Sequence, residues 1–212
     1  RAVAGRLRIP LGKRVLQTFP DGEIHVRLQE TVRGRDVYIL QSTSPPVNEH
    51  LVELLIMIDA CRRAAAGRIT AIIPYYGYSR QEKMSVGREP ITARMVADLL
   101  TVAGTDRVVS IDLHAAAMQG FFSIGMDPLT AVQIVIDHLR RHAGADSVVV
   151  SPDAGRVKLA ERYARALGLP MAVLHKERVD GGEAEVSAVI GDVAGRRPHN
   201  NDDMITNGGT VQ

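Results

Sequence analysis

Apolar positions along the chain follow two rhythms, one of period two and one of helical period. Ile24, Val26 and Leu28 alternate with His25, Arg27 and Gln29, the pattern of a half-buried strand. Leu16–Phe19 precedes them, and Pro20-Asp21-Gly22 supplies turn residues between, so this segment predicts a β-hairpin. After a turn at Arg33-Gly34-Arg35, Asp36–Gln41 reads as a continuous apolar strand. Leu51, Leu54, Leu55, Ile58 and Cys61 then form an i, i+3, i+4, i+7 stripe that predicts a helix over Glu49–Ala66, with Asn48 as its cap. Ile69–Ile73 is a second buried strand and breaks at Pro74. Pro90 suits the first turn of a helix over Ile91–Ala103, which Gly104 stops. Val108–Asp112 is a third strand.

The rhythm lapses from Ala115 to Pro128, which reads as loop with short turns, and Asp127-Pro128 marks a domain boundary. It resumes with a helix over Thr130–His142, a strand at Ser147–Ser151, a helix over Arg156–Leu167 and a strand at Met171–His175. A charged loop, Lys176–Gly182, precedes a strand at Glu185–Ile190 and a turn at Gly191–Gly195. Short strands alternating with helices of ten or more residues call for parallel sheets built from right-handed crossovers. The fold class expected is therefore α/β, with two similar domains, residues 1–128 and 129–212, each a central parallel sheet with flanking helices.

Composition narrows the classes. The 212 residues are 45% hydrophobic and 24% charged, an ordinary globular profile, and no apolar run approaches the ~20 residues of a membrane span. A net charge of +2 argues for neither nucleic acid nor an anionic membrane as partner. The one cysteine, Cys61, lies on a helical apolar stripe and is expected to be a packed thiol in a reducing, cytoplasmic compartment. The chain opens at Arg1 inside a helical pattern, so further sequence is expected before it.

Neither GxxxxGK[ST] nor GxGxxG occurs, which removes the commonest nucleotide loops, and no CxxC or HExxH argues for zinc. What remains is a set of ionisable groups where strands hand over to loops. After Ile73 come three tyrosines, two arginines, a lysine, a glutamine and two glutamates within sixteen residues, among them Arg80, Gln81 and Glu82. Asp112-Leu113-His114, Pro152-Asp153, His175–Arg178 and Asp202-Asp203 occupy equivalent places. Each alone reads as a cap or turn residue. Together they suit an anionic substrate with Mg²⁺, because carboxylates and water suit that ion and Arg and Lys suit phosphates. The terminal DDMITNGGT offers two acids for vicinal sugar hydroxyls, then small residues whose N–H groups can face a phosphate.

These segments resemble the ribose-phosphate diphosphokinase family, also called phosphoribosyl pyrophosphate synthetases. The resemblance runs through FPDGEIHVRL (19–28), QSTSPPVNEHLVELLIMIDACRRA (41–64), IPYYGYSRQEKMSVGREPITA (73–93), IDLHAAAMQGFF (111–122), SPDAGRVKLA (151–160), 175–196 and DDMITNGGT. It implies two type I phosphoribosyltransferase-like domains and transfer of the diphosphate of Mg-ATP to the anomeric hydroxyl of ribose 5-phosphate, giving AMP and phosphoribosyl diphosphate. Carried over by position, Phe19, Asp21 and Glu23 contact adenine and reach a neighbouring subunit's site. Arg80, Gln81, Glu82 and His114 bind ATP, with His114 and Asp153 beside the metal. Lys176 and Arg178 belong to a mobile catalytic loop. Asp202 and Asp203 take the ribose hydroxyls, and Thr206, Asn207, Gly208, Gly209 and Thr210 take the 5-phosphate. The resemblance also implies a homo-oligomer, commonly a hexamer, with inorganic phosphate as activator.

The chain departs from the family pattern at three places. Glu82 stands for the usual Asp, and Asn207 for a Thr of the phosphate loop. His199-Asn200-Asn201 occupies the place of an apolar strand, so the carboxyl end is expected to be altered, the chain to be a fragment, and catalysis to be weaker than nucleotide binding. Two competing readings are a non-catalytic, synthetase-like regulatory subunit and a salvage phosphoribosyltransferase. Retention of His114, Asp153, Lys176 and Arg178 opposes the first, and the segments around Arg80 and Phe19 oppose the second.

Overall fold

A computed structural model describes residues 2–178, 184–200 and 202, the side chains of residues 176–178, 184 and 185 excepted. The chain divides into two compact units, Arg1–Leu129 and Thr130–Gln212.

The first unit opens with a short helix, α1 (Ala2–Leu7), and an antiparallel hairpin of β1 (Arg14–Thr18) and β2 (Ile24–Leu28). Gly22 at φ 93° makes the turn, a conformation that a side chain would oppose. The alternation seen in the sequence has its cause in packing, since Val26 and Leu28 lie against the core below. Four parallel strands follow: β3 (Asp36–Leu40), β4 (Arg68–Ile73), β5 (Arg107–Ile111) and β6 (Gly125–Leu129), in the order β3-β4-β5-β6. Helices α2 (Val47–Arg63) and α3 (Thr92–Ala103) make the crossovers and pack on each other. Their inner faces close a core of Leu54, Ile58, Leu100, Ile73, Val108 and Met118, each fully buried. The Arg62 guanidinium donates to the Val102 carbonyl at 2.8 Å and joins the ends of the two helices. Gly104 terminates α3 at φ 118°. Cys61 is a buried, free thiol, as its place on the stripe requires, and burial pushes its pKa up.

The second unit holds a four-stranded sheet of β7 (Ser147–Ser151), β8 (Met171–Arg178), β9 (Ala184–Ile190) and β10 (Arg197–Asn200), in the order β10-β7-β8-β9. β7 is buried at all five positions, as a strand between two neighbours should be. Helices α4 (Val132–Leu139) and α5 (Val157–Leu167) meet it through Val132, Ile136, Val149, Ala160 and Tyr163.

Five expectations change. Asn48 is not a cap: α2 starts earlier, after Pro46, and Asn48 sits in its first turn, where its side chain accepts from Tyr78 Oη. The stretch 115–128 is not all loop, because it carries a 3-10 turn at Ala116–Phe121 and the strand β6. Asp36–Gln41 is not apolar and buried throughout: Ile39 is buried, whereas Tyr38 is 63% exposed on the opposite face. α4 is shorter than Thr130–His142; i to i+3 bonds from Arg141 to His138 and from His142 to Leu139 tighten its end into a turn. Residues 176–178 belong to a strand rather than a loop, pairing antiparallel with 184–186, so the second sheet is mixed.

Within the polar run at 199–200, His199 has a side-chain partner on the neighbouring strand. β10 pairs with β7 at the sheet's edge among the described residues, not between two strands, and His199 Nε2 lies 3.1 Å from Ser147 Oγ. That bond gives the His199 imidazole a partner, so its polar atoms are not stranded in the sheet.

Candidate functional site

All four strands of the first sheet run the same way, so their carboxyl ends share one rim, where α/β sheets bind ligands. Gln41–Ser44 follows β3, Pro74–Gln81 follows β4, and Asp112–His114 follows β5. The β3–β4 ladder continues beyond the strands. Gln41 N–H donates to Ile72 O at 3.0 Å and Thr43 N–H to Tyr75 O at 3.0 Å. Thr43, 3% exposed, adds two more bonds: its hydroxyl donates to Tyr75 O at 2.8 Å and accepts from Gly77 N–H at 2.6 Å. Gly77 is confined there, since a Cβ on it would lie 2.8 Å from both Thr43 O and Val47 Cγ1.

The rest of the loop is fixed as closely. Tyr76, 3% exposed, donates its hydroxyl to Ala93 O at 3.1 Å, and Tyr78, at φ 66°, donates to Asn48 on α2. Ser79 N–H donates to Tyr76 O at 3.3 Å and Gln81 N–H to Tyr78 O at 2.9 Å, so two successive turns carry the chain through Ser79-Arg80. Gln81 is then held from α3: its carbonyl accepts from Ala93 N–H at 3.2 Å, and its side-chain oxygen from the Thr92 hydroxyl. Arg80, alone between these anchors, is exposed. Glu82 lies 3.3 Å from Lys83. Beyond it, Glu89 accepts from Ser85 N–H and Val86 N–H at 2.8 and 3.1 Å, which shapes the turn before α3.

His114 is half-buried at the end of β5, two residues after Asp112, whose backbone sits at φ 46° and donates to Leu129 O at 2.9 Å. A non-glycine residue in the left-handed region stores strain that surrounding structure must hold, and such residues gather at functional sites. The rim thus brings Arg80, Gln81, Glu82 and His114 to one edge of the sheet. Phe19, Asp21 and Glu23 are elsewhere, on the tip of the β1–β2 hairpin. Their contacts are local: Phe19 N–H to Glu23 O at 2.8 Å, Glu23 N–H to Asp21 Oδ1 at 3.1 Å, and the Phe19 ring 5.5 Å from that of His25.

In the second unit Asp153 follows β7 and is exposed. Its carboxylate accepts from Arg156 N–H at 3.1 Å and starts the 3-10 turn Ala154–Arg156 that leads into α5. Lys176 and Arg178 are paired in backbone with Val186 and Ala184, next to an irregularity between His175 and Lys176. Asp202 follows β10 and is half-buried. Asp203, Thr206, Asn207, Gly208, Gly209 and Thr210 lie outside the described residues. Among the described residues no three His, Cys, Asp or Glu side chains gather closely enough to hold a metal ion. No helix of the described residues is long and apolar enough to cross a membrane.

The sequence reading overlooked Thr43, Asn48 and Tyr76 as the parts that shape the loop. No periodicity marks them. Their only sequence signal is hydroxyl and amide groups flanking a glycine-punctuated segment after a strand.

Parallel strands, crossover helices and a rim of cations and carboxylates define an α/β protein of the type I phosphoribosyltransferase-like fold. The structure is similar to the crystal structure of phosphoribosylpyrophosphate synthetase from Mycobacterium smegmatis, with a TM-score of 0.90 and 48% identity, covering 99% of this chain and 68% of the other. Residues 1–104 match the family described as the N-terminal domain of ribose phosphate pyrophosphokinase. Ribose-phosphate pyrophosphokinases of Clostridium perfringens and Maricaulis maris are 51% and 50% identical over all of this chain and 67% and 68% of their own lengths. That of Parasynechococcus marenigrum is 48% identical over all of this chain and 64% of its length. The chain belongs to the ribose-phosphate pyrophosphokinase family, and it spans about two thirds of the length of these relatives.

Proposed function

We propose that the protein transfers the diphosphate of ATP to the anomeric hydroxyl of ribose 5-phosphate, releasing AMP and forming phosphoribosyl diphosphate. The observation that carries this reading is the rim of the first sheet, where a rigidly anchored loop presents Arg80 beside the strand end bearing His114. Relatives named for pyrophosphate transfer support it over a salvage transferase or a regulatory subunit.

In this reading Arg80 holds the nucleotide by stacking or by charge, with Gln81, Glu82 and His114 around it. A planar, permanently charged guanidinium suits both base and phosphate. Phe19, Asp21 and Glu23 serve the nucleotide of a neighbouring subunit, which suits a hairpin tip whose own bonds are local. Asp153 sits where the second sheet would receive the sugar phosphate. Asp202 and Asp203 accept from the ribose hydroxyls, and residues 206–210 take the 5-phosphate. Lys176 and Arg178 supply positive charge to the oxygens around the attacked phosphorus, a step that rests mainly on positioning and electrostatics. Units 1–128 and 129–212 then divide the work into nucleotide and sugar-phosphate halves.

The donor set suits magnesium. Asp153 offers an exposed carboxylate after β7, and Mg²⁺ characteristically keeps waters and binds through one or two carboxylates plus substrate phosphates. Taken unit by unit, Asp153 in the second and His114 in the first would each be a ligand for such an ion, which when bound would neutralise phosphate charge. A cytoplasmic homo-oligomer, hexameric and activated by inorganic phosphate, completes the reading.

AMP release from ATP, measured with and without ribose 5-phosphate in the presence of magnesium, tests it. Release that depends on the sugar phosphate is expected. Folded protein giving none would overturn the reading.

A further inference from the structure

We infer that Thr43 is a positioning residue for the nucleotide site: it touches no ligand but sets the shape of the loop from which Arg80 projects. This rests on the nucleotide role of Arg80 proposed above and adds a residue to which neither motif nor resemblance assigns a part.

Three observations carry it. Thr43 is 3% exposed although it lies in a connection, so its hydroxyl is not there for solvent. That hydroxyl is used in both directions, donating to Tyr75 O at 2.8 Å and accepting from Gly77 N–H at 2.6 Å. It therefore closes the first bend after β4 from outside, by a residue 32 positions away from Tyr75. Finally, the close approach leaves no room for adjustment, because a single added carbon at Gly77 would meet the Thr43 carbonyl at 2.8 Å.

The bend so fixed is continuous with the two turns through Ser79-Arg80. Tyr76 O accepts from Ser79 N–H, and Tyr78 O from Gln81 N–H, so the direction of residues 76–78 determines where Arg80 starts. Thr43→Val removes the hydroxyl at nearly constant shape. The Gly77 amide then loses its acceptor inside a buried site, and the loop must open or shift to satisfy it. Tyr75 O keeps the bond from Thr43 N–H, so the β3–β4 ladder survives. The change is local to the loop.

The experiment compares wild type, Thr43→Val and Thr43→Ser by ATP titration at equilibrium, by hydrogen exchange across residues 75–81, and by the KM values for ATP and ribose 5-phosphate. Thr43→Val should weaken ATP binding about tenfold and speed exchange at Gly77 by a similar factor, because a buried donor is left unmatched. Exchange in α2 and β4 and the KM for ribose 5-phosphate should hold, and Thr43→Ser should restore both readouts. Wild-type ATP affinity and exchange in Thr43→Val would overturn the inference, as would equal loss of affinity for both substrates. If wild type binds ATP but releases no sugar-dependent AMP, the proposed reaction fails while a tenfold loss in Thr43→Val still supports Thr43. If AMP is released and Thr43→Val binds ATP normally, Thr43 fails and the reaction stands.

Discussion

The hydroxyl of Tyr76 donates to the carbonyl of Ala93 at 3.1 Å, tying the loop after β4 to the first turn of α3 inside the core. Burial, then the nearby Asp98 charge, raises the pKa of this tyrosine far above its ordinary value of 10.0. The folded state thus holds the neutral form, and the stability this contributes is full below that ordinary value. As pH rises past it, the unfolded chain ionises first and stability falls. Urea midpoints should therefore drop between about pH 9 and 11, more steeply in wild type than in Tyr76→Phe. At neutral pH, Tyr76→Phe should cost about 1 kcal/mol for one buried hydrogen bond. Parallel pH curves for the two proteins would refute the account.

Gly77→Ala and Gly87→Ala form a matched pair on the same loop. The first places a Cβ 2.8 Å from a backbone carbonyl, whereas nothing lies within 4 Å of a Cβ on Gly87. Overpacking against backbone predicts a loss of roughly 1–3 kcal/mol for Gly77→Ala. Gly87→Ala should be neutral or slightly stabilising, since it restricts only the unfolded chain. Denaturant unfolding of both variants measures the contrast directly.

Arg80→Ala should leave stability unchanged, because the side chain is exposed and anchors nothing in its own loop. Loss of one or two charge-assisted contacts, each worth ~1.5–3 kcal/mol, predicts ATP affinity lower by about tenfold or more. Unchanged affinity in an isothermal titration would remove Arg80 from the site.

Asp153→Asn separates structure from charge. An asparagine oxygen can still accept from Arg156 N–H, so the start of the 3-10 turn should survive and stability change by less than ~0.5 kcal/mol. The lost charge should lower turnover at least about tenfold, with a higher magnesium requirement. A variant with wild-type magnesium dependence would exclude Asp153 from the metal's surroundings.

Arg107 reaches both carboxylate oxygens of Asp127 at 2.7 Å, bracing β5 to β6, with the two side chains 37% and 47% exposed. Solvent screens such a pair, so Arg107→Met should cost about 1 kcal/mol or less, and less still in high salt. Thermal melts at low and high ionic strength test both statements.

Elements with a repeating reason to be apolar could be read directly. Leu54, Ile58 and Cys61 face one core, and Val148–Val150 lies between two neighbouring strands, so burial wrote itself into their order. Edges were the difficulty. β6 contains Gly125, Asp127 and Pro128, and β10 contains Pro198 and His199; among the described residues each pairs with one strand, where a proline's missing amide is tolerated. The site divided similarly. Arg80, His114 and Asp153 stand out as ionisable residues after strand ends, but Thr43 and Asn48 act through side-chain bonds across long sequence separations, and no local pattern encodes those.

The anchored bend at 75–81 also bears on the rate and entropy of ligand capture. Fixing a backbone residue costs roughly 1–2 kcal/mol of conformational entropy, and here that ordering is met when the protein folds. On the nucleotide role proposed for Arg80, a ligand would meet a loop already in shape, and its binding energy would not be spent on arranging seven residues. Encounter should approach the speed of docking to a rigid surface, and the temperature at which the loop loosens should mark where affinity declines, well before the sheet beneath it melts.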